Sequence, residues 1–259
     1  SMLFSAGMGI GLMFWSIAEP ITHFQSNPFV EQGLTSEAAQ VAMRLTFFHW
    51  GLHPWAIYVV VGLSLSYFSY RKKLPLTIRS SLYPLIGNKI YGPIGHTVDI
   101  LAVFGTVFGV ATSLGLGVTQ MNTGLNLMFG MDISLGNQIL LIGVISSIAT
   151  LSVVSGVGRG VKILSEVNMW LTAGVLVFLL CFGPTRFLLS SLIQNIGDYL
   201  SNLLALSTWT DSYTDSKWQS SWTAFYWGWW MAWAPFVGMF IARVSKGRTI
   251  REFIIGVLL

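Results

Sequence analysis

The sequence predicts an all-α membrane protein of about six to seven spans. Three observations carry this: a shortage of charge, long apolar runs, and basic residues confined to alternate loops. Charged residues make up 9% of the chain and hydrophobic ones 53%, with a mean hydropathy of +0.66. A soluble domain carries about 25% charged residues, so this surface is expected to lie largely in lipid. A span needs roughly 20 apolar residues to cross a hydrocarbon core about 30 Å thick, and several segments meet that length.

Taken in order, the first apolar segment covers about residues 2–17 and is rich in glycine (Gly7, Gly9, Gly11). A polar stretch with Glu19, Pro20, Pro28 and Glu31 follows it. The second span is read at about 45–70 and leads into the basic stretch Arg71, Lys72, Lys73 and Arg79, with an amphipathic connector to about Thr97. The third span is read at 98–121, the fourth at 138–157 and the fifth at 169–182, reaching to 189 at most. Polar and apolar residues mix from Phe187 to Leu206, which suits a helix lying in the membrane interface. The sixth span is read at 222–242 and a seventh begins near Thr249.

Basic residues cluster in alternate loops: Arg71 to Lys89, then Arg159 and Lys162, then Arg243 to Arg251. The opposite loops hold only Arg44, Arg186 and Lys217, together with most of the acids. Lys/Arg bias of this kind places the basic loops in the cytoplasm. The net charge of +4 is small and confined to loops, so no nucleic-acid surface is expected. The single cysteine, Cys181, sits in an apolar run and implies no disulfide. The opening residues have no charged n-region or cleavage site, so no signal peptide is read, and the chain is expected to be a piece of a longer protein.

Two features bear on chemistry. In Ala6-Gly7-Met8-Gly9-Ile10-Gly11-Leu12, glycines at every second position weaken a helix. They either leave carbonyls open to line a cavity, as in the unwound helices of secondary transporters, or allow close helix packing. Tryptophan is the second. Trp50, Trp55 and Tyr58 sit early in the second span, and Trp227, Trp229, Trp230, Trp233 and Phe236 in the sixth. Residues 55 and 58 share a helical face, as do 230 and 233. Indole faces attract quaternary ammonium, which has no hydrogen to donate, so an aromatic cage suits a trimethylated cation. Interfacial anchoring is the alternative. It accounts for Trp222 and Trp227 but poorly for Trp233, which lies deeper.

Other motifs carry less. His49 and His53 stand four apart, but no Glu follows His49 and no third metal ligand is near in sequence, so they are read as satisfied helix-end histidines. Gly156 to Lys162 lacks Walker spacing and reads as a glycine-rich turn. No nucleophile–base constellation, nucleotide site or ring of charged pore residues is present, so neither an enzyme nor a channel is expected.

Three stretches resemble the betaine/choline/carnitine transporter family: AGMGIGLMFWSIAEP at 6–20, FFHWGLHPWAIY at 47–58, and FYWGWWMAWAPFVGMFIARVSKGRTIREF at 225–253, with ATSLGLG at 111–117 in support. The resemblance implies a leucine-transporter-like inverted-repeat helical bundle, of which this chain holds a part. It begins at the family's third helix and stops in its ninth. The first repeat would cover 1–190, an interfacial helix and loop 191–217, and the start of the second repeat 218–259. It further implies a homotrimer in the bacterial inner membrane, surrounded by lipid and working by alternating access.

By motif match, Trp50, Trp55, Tyr58 and Trp230 correspond to the family's aromatic box, and Trp229, Trp233 and Phe236 to its substrate path. Gly7, Gly9 and Gly11 join the substrate-binding set. The backbone near Ser5 and Met8, with Phe236, corresponds to one sodium site. Thr106 corresponds to a second, although Val110 one turn on has no hydroxyl. Choline-type members tend to carry aspartate at the third glycine, here Gly11, which favours glycine betaine. Carnitine exchangers tend to replace sodium with a fixed cation, and residues 98–121 hold no Lys or Arg, which favours sodium coupling. The expectation is sodium-coupled uptake of glycine betaine or a related solute for osmoprotection, with sodium the only cofactor. The alternative is a choline or carnitine carrier or exchanger without sodium.

Overall fold

Apolar runs with no aqueous partner must satisfy their backbone internally, and in this chain they do so as helices. The computed structural model describes residues 2–154, 160–214 and 216–258; for 2–10, 152–153, 160–162 and 164–165 only the backbone is described. Arg159 and most of the glycine-rich turn at 156–162 therefore lie outside the described residues. The main helices are α1 (Met2–Gln25), α2 (Ser36–Trp50), α3 (Leu52–Ser66), α4 (Pro93–Phe129), α5 (Leu135–Val154), α6 (Gly160–Phe182), α7 (Thr185–Thr208), α8 (Thr223–Val244) and α9 (Ile250–Leu258). Among the described residues the only β pairing is an isolated bridge, Asn27 to Val30.

Helices cover the described residues of the segments read as spans, with several corrections. Helix α1 does not stop at residue 17 but continues through Pro20 to Gln25. Glu19 and His23, read as loop residues or left unread, are therefore on one helical face. Their side chains are fully buried and 3.4 Å apart. The second span begins nine residues early, because the Thr35 hydroxyl accepts the Ala38 amide at 3.1 Å and caps α2. It also breaks at Gly51 (φ −88, ψ −129), where Pro54 lacks the amide that would continue the ladder. Arg44, assigned to a loop, lies within α2.

Helix α4 has 37 residues, longer than the read 98–121. It ends where Gly130 adopts φ +71 and donates its amide to Asn126 O at 2.9 Å. Helix α6 ends at Gly183-Pro184, and α7 leaves at 114° to it.

By length and composition alone, two described helices are apolar enough to cross a membrane: Ser36–Arg71, taken through its break, and Pro93–Phe129. The bent pair Glu166–Phe182 and Thr185–Thr208 makes a third if it is one span. This is fewer than the six to seven read from sequence. Helix α8 has 22 residues, about 33 Å, so its length suffices. Its indoles and phenols lower its hydropathy, although such rings reside comfortably at membrane interfaces.

The chain divides into two compact units. The first comprises Ser1–Ser26, Gln32–Arg44 and Ala111–Asn202. There Gly33 closes the turn from α1 to α2, since a Cβ would fall 1.9 Å from Gln25 O. Arg44 grips Asp198 of α7 with two bonds, Nε to Oδ2 at 2.6 Å and a terminal nitrogen to Oδ1 at 2.8 Å. Large apolar side chains stand exposed along α5 to α7, among them Ile139, Trp170, Phe178 and Ile193. On a water-soluble surface such a patch would be a liability.

The second unit comprises Asn27–Glu31, Leu45–Val110 and Leu203–Leu259. Its core is the packing of α3 on α8, with α9 against α3. Gly62 and Gly238 let α3 and α8 approach closely: a Cβ on Gly238 would lie 2.7 Å from Val61 Cγ1 and 3.2 Å from Gly62 N. The two helices run in the same direction. Trp230 meets the start of α3, and the Tyr70 hydroxyl donates to Ala242 O at 3.1 Å beyond its end. The basic stretches after them, Arg71–Lys73 and Lys246–Arg251, thus share one end of this unit, as alternating loops require.

A candidate aromatic binding site

The break at Gly51 shapes this site. It ends α2 at His49 and Trp50, and the indole of Trp230 donates to the main-chain carbonyl of His49 at 3.0 Å. His49 is also fully buried; its ring nitrogen is 3.0 Å from the Thr223 hydroxyl at the start of α8, and its ring stacks on Tyr226 at 4.6 Å. Trp50 donates its indole N–H to the Tyr226 hydroxyl at 3.3 Å. The end of α2 is thereby tied to Thr223, Tyr226 and Trp230, which recur at helical spacing on one face of α8.

Around these anchors the rings assemble. The planes of Trp50 and Tyr58 stand nearly perpendicular to that of Trp230, at 77° and 82°, with centroids 4.9 and 6.3 Å from it. Trp55 meets Tyr58 at 5.7 Å and 79°. Trp229 stacks on Trp230 at 5.2 Å and 12°. Each such pair contributes about 0.5–1.5 kcal/mol beyond its buried area. Trp50, Tyr58, Trp229 and Trp230 thus form one cluster in the second unit, with Trp55 at its edge. The Tyr58 hydroxyl and the Trp229 indole nitrogen are buried with no hydrogen-bond partner among the described residues.

The remaining predicted residues are placed differently. Trp233 is fully buried, but its indole lies against α4: a Cβ on Gly109 would fall 3.0 Å from Trp233 Nε1. Phe236 meets Trp233 edge-on at 6.1 Å. The Thr106 hydroxyl donates to Ala102 O at 2.9 Å, one turn back on its own helix. Gly11 is buried in α1 of the first unit, and the helix runs unbroken through the glycine stretch rather than unwinding. The side chains of Ser5 and Met8, and the surroundings of Gly7 and Gly9, lie outside the described residues.

Neither Tyr226, which from sequence belongs to an interfacial aromatic belt, nor Thr223 was expected in this cluster. The interval of residues 223, 226 and 230 was a legible signal, but nothing in the sequence said that the end of α2 would face it. His53 bonds Ser207 through Nε2 at 2.9 Å and stacks on Trp227 at 5.4 Å, but its Nδ1 is buried without a hydrogen-bond partner among the described residues, so the expectation of satisfied histidines holds only in part. Trp227, read as an interfacial anchor, is one side of that stack.

A model of the betaine/carnitine/choline transporter family matches residues 1–259. The chain is 57% identical over 259 residues to the glycine betaine transporter of Acinetobacter baylyi, covering all of this chain and 39% of that protein. It is 52% identical to the probable glycine betaine transporter of Desulfitobacterium hafniense, again over the whole chain and 51% of the relative. It is 50% identical to the high-affinity choline transport protein of Escherichia coli, over the whole chain and 38% of the relative. The chain thus spans from under two-fifths to about half the length of these relatives, all named as transporters rather than enzymes. With a whole-length family match and helices apolar enough to cross a bilayer, the chain belongs to the betaine/carnitine/choline family of membrane transporters.

Proposed function

We propose that the protein carrying this chain is a sodium-coupled importer of glycine betaine, serving osmoprotection in a bacterial inner membrane. The observation that supports this best is the ring cluster of Trp50, Tyr58 and Trp230, with two planes nearly perpendicular to the third. Walls of electron-rich rings suit a trimethylammonium group, which is attracted to ring faces within about 6 Å. The rings touch one another, so the cation enters as they part, and substrate binding orders an opened cluster. The glycine betaine transporters among the relatives support the same substrate. Gly11 adds no carboxylate that a carboxylate-free cation such as choline would use.

Sodium coupling rests on the family resemblance and on the absence of a fixed cation in residues 98–121. Each sodium entering down a 100 mV potential supplies about 2.3 kcal/mol. Of the positions that the resemblance assigns to sodium, Ser5 and Met8 lie in a helix that runs unbroken. Thr106 offers one oxygen to the second site, and Val110 none. The leucine-transporter-like inverted repeat, its division at 190 and 217, and the homotrimer are part of the same proposal.

A second reading has one specific support: the choline transport protein among the relatives is nearly as similar as the betaine transporters. Tryptophan fluorescence of the full-length protein, titrated with glycine betaine or choline with and without sodium, separates the two. Saturable quenching by betaine that needs sodium is the expected result. Quenching by choline alone, or betaine binding indifferent to sodium, overturns the first reading.

A further inference from the structure

Between α3 and α4 the chain makes three short helical turns, Ile78–Leu82, Tyr83–Ile86 and Gly87–Tyr91, none capped by a side chain among the described residues. Turns of this length are not stable alone, so contacts outside them hold the connector in place. The last turn is held by close packing: Ile90 is fully buried, and a Cβ on Gly95 of α4 would fall 1.7 Å from Ile90 O. The first turn packs on α3 and is tied to α4 through Arg79. The Arg79 backbone amide donates to Asp99 Oδ1 at 3.1 Å, and its Nε lies 3.2 Å from Asp99 Oδ2. A terminal nitrogen of the same guanidinium is 3.3 Å from His96 Nδ1, and its carbon stands 5.8 Å from the centre of the Tyr91 ring. Arg79 and Asp99 are half-buried, while His96 is exposed.

The bond between Arg79 and His96 fixes a protonation state. Guanidinium has only N–H groups and keeps its proton, so it donates and Nδ1 of His96 accepts. The imidazole in this arrangement is neutral, with its proton on Nε2. A second proton would make both partners cations and donors. The sequence sharpens the conflict. Residues 67–99 hold five basic side chains, Arg71, Lys72, Lys73, Arg79 and Lys89, and one acid, Asp99. The other titratable groups there are the phenols Tyr67, Tyr70, Tyr83 and Tyr91. The titratable groups of α3, His53 and Tyr58, lie toward its other end. His96 and Asp99 are three apart on α4, so they share a face. A protonated His96 is therefore drawn to the carboxylate that Arg79 holds, and this segment offers it no other.

We propose that Arg79, His96 and Asp99 form a proton-operated latch: neutral His96 holds the connector on α4, and protonated His96 draws Asp99 from Arg79 and frees the 78–82 turn. The basic residues of this stretch put it at the cytoplasmic face, so the latch reads cytoplasmic pH across the range in which imidazole titrates. Closure is present above that range and is lost as pH falls through it. Helix α4 is also the element whose Gly109 lies against Trp233 of α8, so the latch braces a helix that backs the aromatic face of α8. The proposal does not depend on which solute is carried.

The test is amide hydrogen exchange of the full-length protein in nanodiscs of zwitterionic lipid, read by mass spectrometry at about pH 8 and about pH 6 and corrected for the intrinsic effect of pH. Exchange across 76–84 should quicken about fivefold at the lower pH, the worth of one net hydrogen bond, while α8 stays unchanged. His96→Gln keeps a side-chain oxygen that can accept from Arg79 but does not titrate, so its connector should stay protected at both values. His96→Lys fixes a cation three residues from Asp99 and should exchange fast at both. Equal protection of wild type at the two pH values overturns the proposal. So does a fall in protection that survives in His96→Gln, because another group then carries it. Loosening that spreads equally into α8 is a global response and overturns it too. Should His96→Lys fail to fold, wild type and His96→Gln decide the matter by themselves.

Discussion

Trp230 donates its indole N–H to the carbonyl of His49, 3.0 Å away, at the point where the helix carrying His49 breaks. The bond joins two segments 181 residues apart. It orients the ring that Trp50 and Tyr58 face.

Trp230→Ala should therefore remove both a ring face and the tie to His49. On the proposed function, betaine affinity should fall at least 30-fold, from about 2 kcal/mol for a desolvated cation–π contact. Trp230→Phe keeps a face but loses the donor, and should fall between the two. Fluorescence or uptake titrations of the full-length variants measure this; equal affinities in Trp230→Ala and wild type would remove Trp230 from the site.

Thr223→Val should loosen the same anchor without touching a cage ring, since it deletes the hydroxyl 3.0 Å from the buried His49 ring. Loss of one buried hydrogen bond costs about 1–3 kcal/mol. A lowered Tm with rescue by Thr223→Ser is the expected pattern.

Gly109→Ala should push Trp233 aside, because the new Cβ would fall 3.0 Å from its indole nitrogen and 3.2 Å from Cδ1. Overpacking of this kind costs about 1–3 kcal/mol. Gly238→Ala should be at least as damaging, since its Cβ would be 2.7 Å from Val61 Cγ1. Thermal unfolding in detergent ranks the two variants.

Arg44→Ala should leave Asp198 largely buried without its bidentate partner, as only 10% of that side chain is exposed. Some compensation comes from Asn202, whose side-chain amide is 3.2 Å from Asp198 Oδ1. A loss of about 2 kcal/mol is expected, partly recovered in the double variant with Asp198→Asn. A double-mutant cycle on thermal stability checks the coupling.

The loop before α8 should be acid-sensitive. Hydrogen bonds from the Thr214 and Ser216 hydroxyls hold the Asp211 carboxyl below its usual range. A depressed folded pKa means that the stabilisation is present above the unfolded value, about 3.9, and is lost as pH falls through the folded one. Thr214→Val with Ser216→Ala should raise the Asp211 pKa toward its usual range, as read by NMR titration of a loop peptide against the whole protein. No change in that pKa would mean that the two hydroxyls do not hold the carboxylate.

The membrane class, the helical segments and the residues of the aromatic cluster were legible in sequence, because apolar length, charge placement and tryptophan spacing are local properties of the chain. Trp50, Tyr58, Trp229 and Trp230 were all named from it, and the change of composition after Phe182 coincides with the bend between α6 and α7. Several boundaries were not. Pro20 reads as a helix stop, yet α1 passes through it with Glu19 and His23 buried. The second span reads as continuous because Gly51 and Pro54 are only two punctuation marks in an apolar run.

What the tertiary structure alone decided is which groups face one another. The parallel packing of α3 on α8 through Gly62 and Gly238 brings Thr223 and Tyr226 to His49 and turns Trp233 toward Gly109. No local pattern encodes such pairings. They follow from how closely two helix backbones can approach, a property of both helices together.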